Sequence, residues 1–153
     1  MFIICIILAE LIRLIKKCVN FIFDYELKDK KGGTILIHRE DAEGLFNENL
    51  SLTYYIGMDT NFESDSRLQD NDLIHLGDLE FKVIHTPGHT KGGSSLYCES
   101  EEFVLTGDTL FRGTWGRTDL PTSSFEEIIS SILASSLVPF AAATICLSAS
   151  LVM

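Results

Sequence analysis

Two short segments of this chain hold residue types that can do chemistry. The first is His85-Thr86-Pro87-Gly88-His89-Thr90, followed by Lys91-Gly92-Gly93-Ser94. Proline fixes one φ angle and glycine permits an unusual one, so such a loop can aim His89 at a fixed point past the end of a strand. Neutral imidazole is the commonest metal-ligating side chain. The plainer reading, that His85 and His89 are ordinary loop histidines, stays open on this segment alone. The second segment is Thr106-Gly107-Asp108-Thr109-Leu110-Phe111, which sets a carboxylate directly after an apolar run. Its two oxygens can each face one cation. The plainer reading is a turn aspartate bonded to its own backbone. Gly116-Arg117-Thr118-Asp119 follows, with one cation and one anion two residues apart.

Hydrophobic periodicity gives the elements that must carry these loops. Thr34 to His38 (TILIH) is short, β-branched and apolar, which predicts a strand. Asp41 to Phe46 reads as a short helical turn and Asn47 to Ser66 as a loop. Leu73–Leu76 and Leu79–Ile84 flank Gly77-Asp78, the pattern of a β-hairpin. In the second arm Leu79, Phe81 and Val83 alternate with Glu80 and Lys82, as in a half-buried strand. Ser94–Cys98 and Glu102–Thr106 read as two more strands, and Gly107 to Pro121 as a loop. Ser123 and Glu126 make a capping-box pattern. Phe125, Ile128, Ile129, Ile132 and Leu133 then recur at helical spacing, so a helix is expected from about Ser124. Strands followed by a helix fit a sheet covered by helices.

Composition narrows the partners. The 153 residues make one domain's worth of chain, and a formal charge of -10 argues against a nucleic-acid partner. Cys5, Cys18, Cys98 and Cys146 are scattered, with no C-x-x-C pair, which fits a reduced, cytoplasmic setting. The first nine residues are apolar, too few to span a membrane and without the basic residues that open a signal peptide. Leu8, Leu11, Ile12 and Ile15 fall on one helical face, opposite Glu10, Arg13 and Lys17. That predicts a packed amphipathic helix, with a membrane-surface helix as the alternative. No charged side chain follows Glu127. The apolar tail is long enough to span a bilayer, but its Ser, Thr and Ala content and Pro139 make a span the weaker expectation.

Taken together, H-T-P-G-H-T, T-G-D-T-L-F and G-R-T-D-L-P, with I-L-I-H-R-E-D-A-E-G-L-F upstream, closely resemble the metallo-β-lactamase superfamily. The nearest branch is that of the hydroxyacylglutathione hydrolase (glyoxalase II)-like enzymes. The resemblance implies an α+β fold, the αββα sandwich, here its second half. On that basis residues 34–133 form the family-like region, residues 1–33 an amphipathic segment outside it, and residues 134–153 an apolar tail outside it. It also implies a site for two metal ions, usually zinc, and hydrolysis of a small-molecule thioester. By the resemblance His89 binds the first metal, and Asp108 bridges both as the catalytic carboxylate. His85 stands behind the ligands. Arg117 and Asp119 lie in the loop beside the site, facing substrate or bracing the loop by an ion pair, with bracing favoured. Persulfide dioxygenases share the G-R-T-D loop and use a single iron, which keeps iron and an oxidoreductase as an alternative.

The chain departs from the family at both flanks. The H-x-H-x-D-H motif expected before TILIH is absent, and no histidine follows His89. The family's dinuclear site draws on more histidines than the four present here, His38, His75, His85 and His89. Only His89 and Asp108 match ligand positions. Asp24, Asp41 and Glu43 are spare carboxylates whose spacing does not recommend them as ligands. The expectation is a truncated or frame-disrupted relative with impaired catalysis. An inactive remnant and a small membrane-associated protein are the alternatives. The apolar face of Leu79, Phe81 and Val83 then needs a cover, which the N-terminal helix is expected to supply in part.

Overall fold

The structure, a computed structural model, describes residues 3–6, 34–51, 63–135 and 143–145. A three-stranded sheet runs in the order β1 (Ile3–Ile6), β2 (Thr34–His38), β3 (Ser66–Leu68). A 3-10 turn (Ala42–Leu45) and a one-turn helix α1 (Glu48–Ser51) follow β2. The main sheet contains β4 (Leu73–Leu76), β5 (Leu79–His85), β6 (Ser94–Cys98), β7 (Phe103–Leu105) and β10 (Ala143–Ile145), in the order β10-β7-β6-β5-β4. A small hairpin, β8 (Leu110–Phe111) with β9 (Thr114–Trp115), and helix α2 (Phe125–Ser135) stand between β7 and β10.

The sequence of TILIH explains why β2 is central to its sheet. Ile35 and Ile37 pack with Ala42 and Leu45 on one side, while Leu36 joins Leu68 on the other. A strand covered on both faces reads as a continuous apolar run. In the main sheet, β4 and β5 join through Gly77-Asp78, with Leu76 opposite Leu79. Phe81 and Val83 point into a cluster with Ile74, Leu76, Leu96 and Cys98, and Glu80 and Lys82 point to water. Leu36 and Leu68 belong to the same cluster. Part of the cover for Phe81 and Val83 therefore comes from the three-stranded sheet, through Leu36 and Leu68. The amphipathic helix expected over Leu8 to Ile15 lies outside the described residues.

Several boundaries differ from the sequence reading. Asn47 to Ser66 holds α1 and the start of β3 rather than loop alone. The stretch read as a loop from Gly107 to Pro121 contains β8 and β9, whose two-residue strands are too short to show a period. The cap of α2 is Ser124, whose Oγ accepts from Glu127 N at 3.3 Å. Ser123 instead accepts from Leu120 N and donates to Leu120 O. Within the first nine apolar residues, Ile3–Ile6 is a strand antiparallel to β2. In the apolar tail, Ala143–Ile145 pairs parallel with β7. Among the described residues no helix is long and apolar enough to cross a membrane.

Candidate functional site

Strand direction brings the two chemical loops together. β5 and β7 both run antiparallel to β6, which lies between them, so their C-terminal ends share one edge of the sheet. Thr86 to Gly93 leaves the first end and Thr106 to Thr109 the second. The first loop is closed by Thr86 N–H on Gly93 O at 2.7 Å and by Gly88 N–H on Thr90 O at 3.0 Å. Gly88 has φ +132, and a side chain there would fall on the backbone of Ile128. That close approach lets α2 back the loop. Ser124 N–H donates to Gly88 O at 2.9 Å, and Ser131 Oγ donates to Pro87 O at 2.7 Å.

Buried hydroxyls stitch the two loops to each other. Thr86 Oγ1 lies 3.1 Å from Ser95 Oγ and 3.0 Å from Thr109 Oγ1. Thr106 Oγ1 donates to Leu110 O at 3.0 Å, which fixes the turn around Asp108. Thr86, Ser95, Thr106 and Thr109 are all buried, where an unpaired hydroxyl is costly.

The outcome is that His89 and Asp108 meet. His89 Nε2 is 3.7 Å from Asp108 Oδ2, and His89 Nδ1 is 3.0 Å from the Arg117 carbonyl. A carbonyl can only accept, so the proton belongs on Nδ1 and the Nε2 lone pair faces the carboxylate. Two acceptors at 3.7 Å make no hydrogen bond; the pair suits a cation or a proton between them. Burial pushes the His89 imidazole below its ordinary value, while the Asp108 charge and the bond to Arg117 O pull the other way.

Among the described residues the donor set for a metal stops at two. Among the described residues, no group of three or more His, Cys, Asp or Glu side chains could hold a metal ion. A catalytic zinc site takes about three protein ligands and an open position. The described side chains therefore do not fit the dinuclear zinc centre that the sequence resemblance implies. Asp41 is not spare: its carboxylate accepts from Thr90 Oγ1 at 2.6 Å and from Gly92 N–H at 2.8 Å. Cys18 to Glu26, where the resemblance places the H-x-H-x-D-H motif, lies outside the described residues.

The remaining candidates sit around this pair. His85 Nε2 is 2.7 Å from Lys91 O, so it faces its own loop, and its backbone N–H donates to Asp70 Oδ1. Its ring stacks on that of His38, with centroids 4.3 Å apart. His38 is buried, which lowers its pKa, and the neighbouring His85 adds to the effect. Arg117 makes a two-pronged bond to Asp119, at 2.6 and 2.7 Å. Arg117 thus touches His89 through its carbonyl while its guanidinium is occupied by Asp119, whose carboxyl it holds below the usual range. Trp115 and Phe125 meet edge to face at 6.2 Å beside this loop. Sequence reasoning missed the hydroxyl stitching and the use made of Asp41. The threonines stood in the motifs, but nothing in their spacing says that they meet.

The sequence profile of the Metallo-beta-lactamase superfamily matches residues 25–148. A probable metallo-hydrolase of Streptococcus pyogenes is 58% identical over 57 residues, 37% of this chain and 25% of that protein. Hydroxyacylglutathione hydrolase GloC of Haemophilus influenzae is 39% identical over 64 residues, 42% of this chain and 30% of that enzyme. These matches therefore span less than a third of either relative. The crystal structure of the BLEG-1 B3 metallo-beta-lactamase superposes with a TM-score of 0.67 at 28% identity, covering 74% of this chain and 56% of that one. The fold, the two loops at one sheet edge and the profile over residues 25–148 agree, and the chain belongs to the metallo-β-lactamase superfamily.

Proposed function

We propose that this chain is a glyoxalase II-like relative of the metal-dependent thioester hydrolases, with catalysis impaired as it stands. One observation carries the reading: His89 and Asp108 face each other at 3.7 Å, with no third donor beside them among the described residues. The likeness to hydroxyacylglutathione hydrolase GloC supports the substrate class, a small-molecule thioester. In that class a bound metal supplies Lewis-acid polarisation and an activated water. Two protein ligands are too few for that task. What this chain's residues do is orient: the Arg117 carbonyl fixes the His89 tautomer, and the Thr106 hydroxyl fixes the turn that presents Asp108.

The same reading puts the protein in the cytoplasm, without a nucleic-acid partner, in line with its charge of -10. It takes the missing motifs as lost by a shifted reading frame, so the gene's other frames should encode H-x-H-x-D-H upstream. The test is turnover of a hydroxyacylglutathione thioester by the purified chain with zinc added. Turnover should not exceed that of Asp108→Ala. A rate well above that variant would overturn the proposal.

A further inference from the structure

We propose that Asp41 is a positioning residue that sets the aim of His89. The proposal rests on His89 being the histidine that survives from the family's site. Asp41 stands at the N-cap of the 3-10 turn that follows β2, yet its side chain makes no cap bond there. Aspartate at such a position ordinarily accepts from the exposed N–H groups of the first turn. Here both oxygens leave the turn and cross to the loop of the other sheet. Oδ2 accepts from Thr90 Oγ1 at 2.6 Å and Oδ1 from Gly92 N–H at 2.8 Å, 49 and 51 residues along the chain. Asp41 is 6% exposed and Thr90 is also 6% exposed, so water does not compete for these bonds.

The placement explains what the brace does. Thr90 follows His89 directly, and its carbonyl also accepts from Gly88 and Gly93 N–H. Fixing Thr90 therefore fixes the backbone on both sides of His89. The contact is tight enough that a side chain at Gly92 would come within 2.6 Å of Asp41 Cγ. Asp41 is itself held, since its N–H donates to His38 O and its carbonyl accepts from Gly44 N–H. His89 has one further tie, its ring bond to Arg117 O. The backbone tie through Asp41 is what lets that ring bond persist.

The experiment reads the ring bond itself, without metal or turnover, so it stands apart from any test of hydrolysis. Protein labelled with 15N-histidine should show a His89 Nδ1–H resonance protected from solvent exchange, assigned by its loss in His89→Gln. In Asp41→Ala that proton should exchange about tenfold faster or more, as expected for the loss of two buried hydrogen bonds at the loop, while the β4–β5 amides stay protected. Asp41→Asn should restore it, because its carbonyl can still accept from Gly92 and its amide can donate to Thr90 Oγ1. Unchanged protection in Asp41→Ala, or no rescue by Asp41→Asn, overturns the proposal. Should Asp41→Ala fail to fold, Thr90→Val must lose the protection that Thr90→Ser retains. Equal behaviour of those two overturns it as well.

Discussion

Replacing Thr86 by valine removes one oxygen at the point where the two site loops meet, and the structure sets the size of the effect. The Thr86 hydroxyl bonds Ser95 Oγ at 3.1 Å and Thr109 Oγ1 at 3.0 Å. Thr109 keeps a fallback, a contact to Thr86 O at 3.5 Å. Ser95 is 0% exposed and loses its hydroxyl partner. Each neutral hydrogen bond contributes about 0.5–1.5 kcal/mol net, and a buried hydroxyl left unpaired costs about 1–3 kcal/mol. Thr86→Val should therefore destabilise by about 2–4 kcal/mol. Ser95→Ala alone should cost about 1 kcal/mol, because Thr86 keeps Thr109. Together the two should cost less than their sum by about 1–2 kcal/mol, since the orphaned hydroxyl is gone. Urea unfolding followed by circular dichroism, with m-values held constant, measures all three. Additive effects within about 0.5 kcal/mol would refute the stitching argument.

Other outcomes follow from the same geometry. Gly88→Ala forces a side chain into φ +132 and onto the backbone of Ile128, so it should cost about 2–5 kcal/mol, read by urea unfolding. Ser124→Ala removes the cap of α2 and should cost about 0.5–2 kcal/mol; Ser123→Ala should leave Glu127 N–H protected in hydrogen exchange. Burial holds the folded pKa values of both His38 and His89 below that of a free imidazole. Between the two values the unfolded chain binds more protons, so stability is full above about pH 6.5 and falls as pH drops below it toward the folded values. A pH series of melting temperatures should show that slope, flattened in His38→Gln and His89→Gln.

Much of this arrangement was legible in the residues. Pro87-Gly88 announced a fixed loop, TILIH a strand, and Gly77-Asp78 a hairpin. These signals are local, because each depends on φ preference or on a two-residue period. The cap of α2 shifted from Ser123 to Ser124 because both serines suit the role and only packing against Gly88 chooses between them. β8 and β9 are too short for a pattern to show. The strand Ile3–Ile6 and the strand Ala143–Ile145 hide in apolar runs whose composition fits a helix equally well. Asp41 stood inside a motif, but its partners lie far along the chain, where no spacing argument reaches. The meeting of His89 and Asp108 depends on β6 lying between β5 and β7, a fact of sheet order rather than of sequence.

Among the described residues, this superfamily fold brings together two candidate donors, His89 and Asp108, and no third. Metal content tests it most directly. Purified chain, loaded with zinc and passed through a desalting column, should retain well under one equivalent of zinc or iron by elemental analysis, and His89→Ala should lower even that. About two equivalents retained, and lost together in His89→Ala, would show that residues beyond His89 and Asp108 complete the centre and would contradict the account.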